Sequence, residues 1–180
     1  MKKAFIYPAI TDSQETRILG IDTSLRSTGL GVVGKKGNSM RAMWHGTVKI
    51  ATSKPLSEAL LTLYNAVDET IVALSPSAVA VEGIFYFKYA QTAMLLGHAR
   101  GVVIACCAKH GLPVYEYEPR NVKQAMTGYG AASKEQMQRM MMTMLKLPTL
   151  PTEDEGDALA LAVCHCQQQT SVMALKRETL

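Results

Sequence analysis

Two short runs constrain this chain more than anything else in it. Ile18-Leu19-Gly20-Ile21-Asp22 and Ala78-Val79-Ala80-Val81-Glu82 are each apolar until they end on a single carboxylate. A short run with no polar face suits a central strand covered on both sides. Burying a carboxylate without a partner is expensive. Asp22 and Glu82 therefore either cap turns or meet something positive.

The remaining segments sort around those runs. Residues 17–23 and 28–34 read as strands joined by a turn at Thr23-Ser24, and residues 40–50 as a third strand, giving an antiparallel meander. From Lys54 to Leu74, the residues Leu56, Leu60, Leu63, Tyr64, Val67 and Ile71 share one helical face, and Ser75-Pro76-Ser77 ends the pattern. Residues 92–110 read as a second helix, 112–117 as a strand, and 120–126, 133–146 and 153–168 as further helices. This order is mixed α/β. The pattern predicts one domain over residues 17–168, a loose extension over 1–16 and a frayed polar tail over 169–180.

Composition narrows the function classes. The 180 residues are 48% hydrophobic and 19% charged, enough for a real core, and the net charge of +4 is compatible with a polyanionic partner. No apolar run approaches the roughly 20 residues of a membrane span. Pro8 interrupts the apolar patch after Lys2-Lys3, which argues against a signal peptide, so a cytoplasmic protein is expected. The four cysteines fall as Cys106-Cys107 and Cys164-His165-Cys166. Neighbours on a helix point apart and no C-x-x-C pair exists, so buried reduced thiols are expected rather than a zinc site.

Two more acids sit where solvent is not expected. Asp154 and Asp157 are three apart and share a helix face, which continues through Leu161 and Cys164 toward the sheet. Thr152 and Glu155 match a capping box, and acids in a first turn suit the helix dipole. That explains Glu153 and Glu155 but not Asp157, and it leaves Glu82 unexplained. Carboxylates converging in an apolar place stay ionised only beside cations. Hard divalent ions favour oxygen ligands, and two of them can serve a phosphoryl displacement. From spacing alone, a metal-dependent phosphoryl-transfer site and a set of capped turns that never meet both stay open.

The runs ILGIDTSLRSTGLGVV, AVEGIF, LLGHARG, PRNVKQAMTGYGAASKEQMQ and LKLPTLPTEDEGDALALAVCHC, in that order, closely resemble the RuvC family of bacterial crossover junction endodeoxyribonucleases, from about Ile18 to Cys166. The resemblance implies an RNase H-like fold, a five-stranded mixed sheet flanked by helices, acting as a homodimer on four-way (Holliday) junction DNA. It places the catalytic, metal-binding acids at Asp22, Glu82, Asp154 and Asp157, which would hold two Mg²⁺, with Mn²⁺ as a chemically similar substitute. The implied reaction is hydrolysis of a phosphodiester to a 5′-phosphate and a 3′-hydroxyl, as two symmetric nicks in recombination and repair. Coupling to a branch-migration motor complex is implied as well. DNA-contacting lysines fall on Lys123 and Lys134, with Arg120 beside them, and a base-stacking aromatic falls on Phe85. Independently, residues 85–146 carry eight basic and three acidic residues, so the positive charge concentrates near the proposed site.

Two departures stand out. Thr23-Ser24 replaces the family's usual Pro-Gly after the first acid, where local hydroxyl-to-backbone bonds could build the turn instead. The N-terminal extension is also longer than usual. Two other readings compete: a non-catalytic junction-binding module on the same fold, and an actin-like phosphate-loop ATP-binding domain. The second would need two domains of this kind, and the complete set of four acids argues against both.

Overall fold

The computed structural model describes residues 5–10, 12, 14–83, 90–168 and 179–180. Its elements run β1 (Thr16–Asp22), β2 (Ser27–Lys36), β3 (Ser39–Lys49), α1 (Leu56–Leu74), β4 (Ala78–Glu82), α2 (Ala90–Lys109), β5 (Val114–Tyr117), α3 (Pro119–Thr127), α4 (Lys134–Leu145) and α5 (Glu153–Gln168). The five strands form one mixed sheet in the order β3-β2-β1-β4-β5. The meander β1-β2-β3 is antiparallel, whereas β4 joins β1 in parallel and β5 joins β4 in parallel.

Alternation along the central strands divides the core into two layers. Leu19, Ile21, Val79 and Val81 face α1 and α2, where Leu63, Val67, Ile71 and Val103 meet them. Ile18, Ala78 and Ala80 face the other way, toward α3, α4 and α5. The apolar stripe of α1 and the Ser133–Gln136 capping box of α4 explain why those segments are helical.

Glycine brings α5 onto the sheet. A methyl group on Gly20 of β1 would stand 1.9 Å from the Ala158 carbonyl oxygen, and one on Gly29 of β2 1.9 Å from that of Asp154. Only glycine admits helix backbone that close to strand backbone. The first turns of α5 are thereby pressed against the carboxyl end of β1.

Two sequence expectations change here. Within the supposedly loose extension, Phe5 and Tyr7 pack on Trp44 with ring centroids 4.9 Å apart, and the Tyr7 hydroxyl lies 3.0 Å from Thr70 Oγ1. Aromatic packing on Trp44 anchors the start of this segment, a long-range contact that the short apolar patch alone does not reveal. By length and composition, α2 is also long and apolar enough to cross a membrane, at 20 residues with a mean hydropathy of 1.2. Its buried Arg100, bonded to the Glu82 carbonyl and the Glu116 carboxylate, ties it to the sheet instead.

Candidate active site

The parallel register sets Asp22 and Glu82 side by side. Ile21 pairs with Val81, so the next residue of each strand is the acid at its carboxyl end. Strand order also reverses direction here, since β1 runs antiparallel to β2 and parallel to β4. Ligands of open α/β sheets bind in the crevice outside such strand ends. A cavity of about 220 Å³ opens there, lined by Asp22, Glu82 and Asp157 together with Lys123 of α3 and Lys134 of α4.

Crowding shows in the proton affinities. Burial, and then the charges of Glu82, Asp157 and Asp154, push the Asp22 carboxyl up to about 8. Burial and Asp157 raise Glu82. Burial also raises Asp157, against the opposing pull of Lys134 and Lys123. Lys134 donates to Glu153 Oε2 at 2.8 Å, and that bond together with the nearby acids raises its own value.

Asp154 stands apart from the other three. It does not line the cavity, because Lys49 Nζ holds its Oδ2 at 3.1 Å and Ser27 Oγ donates to the same oxygen. Three of the four expected acids are therefore together and the fourth is parked at the rim, close enough for its charge to bear on Asp22. Among the described residues, no three of these acids bring carboxylate oxygens within 4.8 Å of one another. Repulsion and the Lys49 ion pair account for that spacing.

The donor set still fits a hard divalent cation. Every candidate ligand is a carboxylate oxygen, Asp22, Glu82 and Asp157 are raised toward neutrality where no cation is present, and Thr23 Oγ1 beside them is buried without a hydrogen-bond partner.

The turn after Asp22 is built from hydroxyls. Ser24 Oγ donates to the Ser27 carbonyl and accepts from the Ser27 amide, both at 3.0 Å, and Thr28 Oγ1 accepts from the Ser24 amide at 3.2 Å. These bonds do the work expected of Pro-Gly. Arg120 lies outside the acid cavity. It lines a neighbouring groove of about 530 Å³ that shares Pro119 and Lys123 with the cavity and is flanked by exposed Tyr129 and by Gly130. Phe85 lies outside the described residues.

Sequence reasoning missed Lys49, Ser27 and Arg100. The first two belong to β3 and β2 and reach Asp154 only through the fold. Arg100 carried a signal, since a lone arginine inside an apolar helix needs buried acceptors.

A five-stranded mixed sheet flanked by helices, with an acid-lined crevice at the ends of β1 and β4, defines an RNase H-like fold. The family model described as "Crossover junction endodeoxyribonuclease RuvC" matches residues 18–165. The chain belongs to the RuvC family of crossover junction endodeoxyribonucleases, and membership implies endonuclease activity dependent on divalent metal. It is 45% identical over 149 residues to the family member of Syntrophotalea carbinolica, covering 83% of this chain and 92% of that one. The Thermus thermophilus RuvC solved in complex with a Holliday junction substrate superposes with a TM-score of 0.80 at 30% identity, covering 92% of this chain and 99% of that one. A yeast mitochondrial Holliday junction resolvase, at 12% identity and a TM-score of 0.59 over 88% of this chain and 78% of that one, shares the fold.

Proposed function

We propose that this chain resolves four-way DNA junctions by metal-dependent phosphodiester hydrolysis, acting as a homodimer in the cytoplasm, with residues 17–168 as the nuclease domain. The observation that carries this reading is the meeting of Asp22, Glu82 and Asp157 with Lys123 and Lys134 in one cavity. Asp22, Glu82, Asp154 and Asp157 would hold two Mg²⁺, which would supply Lewis acidity at the scissile phosphate and a nucleophilic water at neutral pH. Asp154 leaves Lys49 and Ser27 to join the other three. Lys123 and Lys134 attract the phosphate backbone and offset the charge of the acids. The groove beyond them, with Arg120 at its edge and Tyr129 exposed, offers a path for the adjoining strand, and Phe85 is assigned to base stacking at the junction.

The dimer reading rests on α2. Gly97 and Gly101 face open space, Met94 and Leu95 are exposed, and Ala105 and Ala108 continue the same exposed side. A second copy packed there would bring two crevices into the two-fold relation of a four-way junction.

The test uses a synthetic junction with mobile arms. Asp22→Asn should bind the junction as the parent does and leave it uncut in Mg²⁺. Cleavage at the parental rate by Asp22→Asn would remove Asp22 from the chemistry.

A further inference from the structure

On the other face of the sheet, the last turn of α2 carries Cys106, and His110 follows four residues later on the same side. Asp68 of α1 faces them. The Cys106 sulfur, a His110 ring nitrogen and an Asp68 carboxylate oxygen all lie within 4.8 Å of one another, the only such trio among the described residues. We propose that Asp68, Cys106 and His110 form a second metal site, selective for a borderline-soft divalent ion of the zinc type.

The geometry suits such an ion. His110 Nε2 and Asp68 Oδ1 are 2.8 Å apart. Around a tetrahedral zinc, with bonds of about 2.0–2.3 Å, ligand atoms sit roughly 3.3–3.8 Å from one another. Opening the His110–Asp68 pair by roughly half an ångström to one ångström, with the sulfur already within 4.8 Å of both, therefore admits the ion. The donor types settle the class. Sulfur with imidazole favours zinc and its neighbours over magnesium or calcium, which take oxygen alone. Three protein ligands leave one position for water, as in open zinc sites.

The surroundings allow the exchange. The thiol's hydrogen-bond acceptor is the Tyr64 carbonyl at 3.9 Å, a long contact that costs little to lose. Metal entry breaks the Cys106 S–H bond, forms a sulfur–metal bond and releases the proton to solvent. His110 turns from its bond with Asp68 to coordination through a ring nitrogen. Lys109 Nζ, 3.1 Å from Asp68 Oδ1, is more than half exposed and can swing into solvent when the ion replaces it. The remaining cysteines take no part. This site does not depend on the resolvase reading, and it shares no residue with the carboxylate crevice.

Cobalt is the probe, because thiolate coordination gives Co²⁺ a charge-transfer absorption that oxygen ligands do not. Titrating the metal-free full chain with Co²⁺ should produce that band at one equivalent, with tetrahedral visible bands, and Zn²⁺ should erase both. The band should be unchanged in Asp22→Asn, absent in Cys106→Ser, and require roughly ten-fold or more additional metal in His110→Gln and Asp68→Asn. His110 is at the surface end of its helix, so His110→Gln keeps the test informative even if Cys106→Ser destabilises the fold. No charge-transfer band in the parent, or the same band at the same affinity in His110→Gln, would overturn the site.

Discussion

Asp22 concentrates the electrostatic cost of the crevice. Its carboxyl stands near 8 in the metal-free protein, against an ordinary value of 3.8. An acid whose folded value is raised keeps its proton in the native state while the unfolded chain has lost it. Between about pH 4 and 8 the native state therefore binds more protons, and this group's contribution to stability falls as pH rises through that window. Asp22→Asn should stabilise the chelator-treated protein, with a gain that grows from pH 5 to pH 8. Melting curves across that range check it, and a gain independent of pH would contradict the burial and repulsion assigned to Asp22. Lys123 acts on a different partner. Lys123→Ala should weaken junction binding and lower the slope of log affinity against log salt by about 0.9, one phosphate's worth. An unchanged slope would return Lys123 to a solvated helix face.

At the scale of elements, the decisive contact is α5 lying on β1 and β2. Gly20→Ala would drive a methyl group into the Ala158 carbonyl, so α5 must shift, carrying Asp157 with it. A loss of about 1–3 kcal/mol in stability is expected from overpacking of this kind, together with a larger loss of cleavage than of junction binding. Thermal melts and parallel cleavage and gel-shift assays measure both, and full activity in Gly20→Ala would show that the close approach does not position the site. The order of elements was readable because each leaves a local signature: apolar runs for β1 and β4, a 3.6-residue stripe for α1, and the Thr152–Glu155 box for α5, whose Thr152 amide does bond Glu155 at 3.0 Å. The inward aim of Asp157 was readable for the same reason. The parking of Asp154 was not, because its partner Lys49 lies 105 residues away and looks like any exposed lysine on an edge strand. The Asp68–Cys106–His110 trio escaped likewise. A search for paired cysteines cannot see a ligand set assembled across two helices.

For the whole molecule, the two faces of the sheet do different work. One face carries the acids and lysines at the crevice; the other carries α1 and α2, and α2 leaves Met94, Leu95, Gly97, Gly101, Ala105 and Ala108 exposed. The length of the largely apolar run marks α2 as a helix, but apolar residues lie all round it, so the sequence gives no sign of which side is buried. In the proposed homodimer, one face would cut and the other would place a second cutter in symmetry. The measurement that tests this most directly maps the nicks on a synthetic four-way junction, with each of the four strands labelled in turn. Nicks are expected at equivalent positions on two opposing strands, with 5′-phosphate ends, appearing with Mg²⁺ and abolished by chelator. Single unpaired nicks, equal cutting of linear duplex, or cutting that survives the chelator would contradict the resolvase reading.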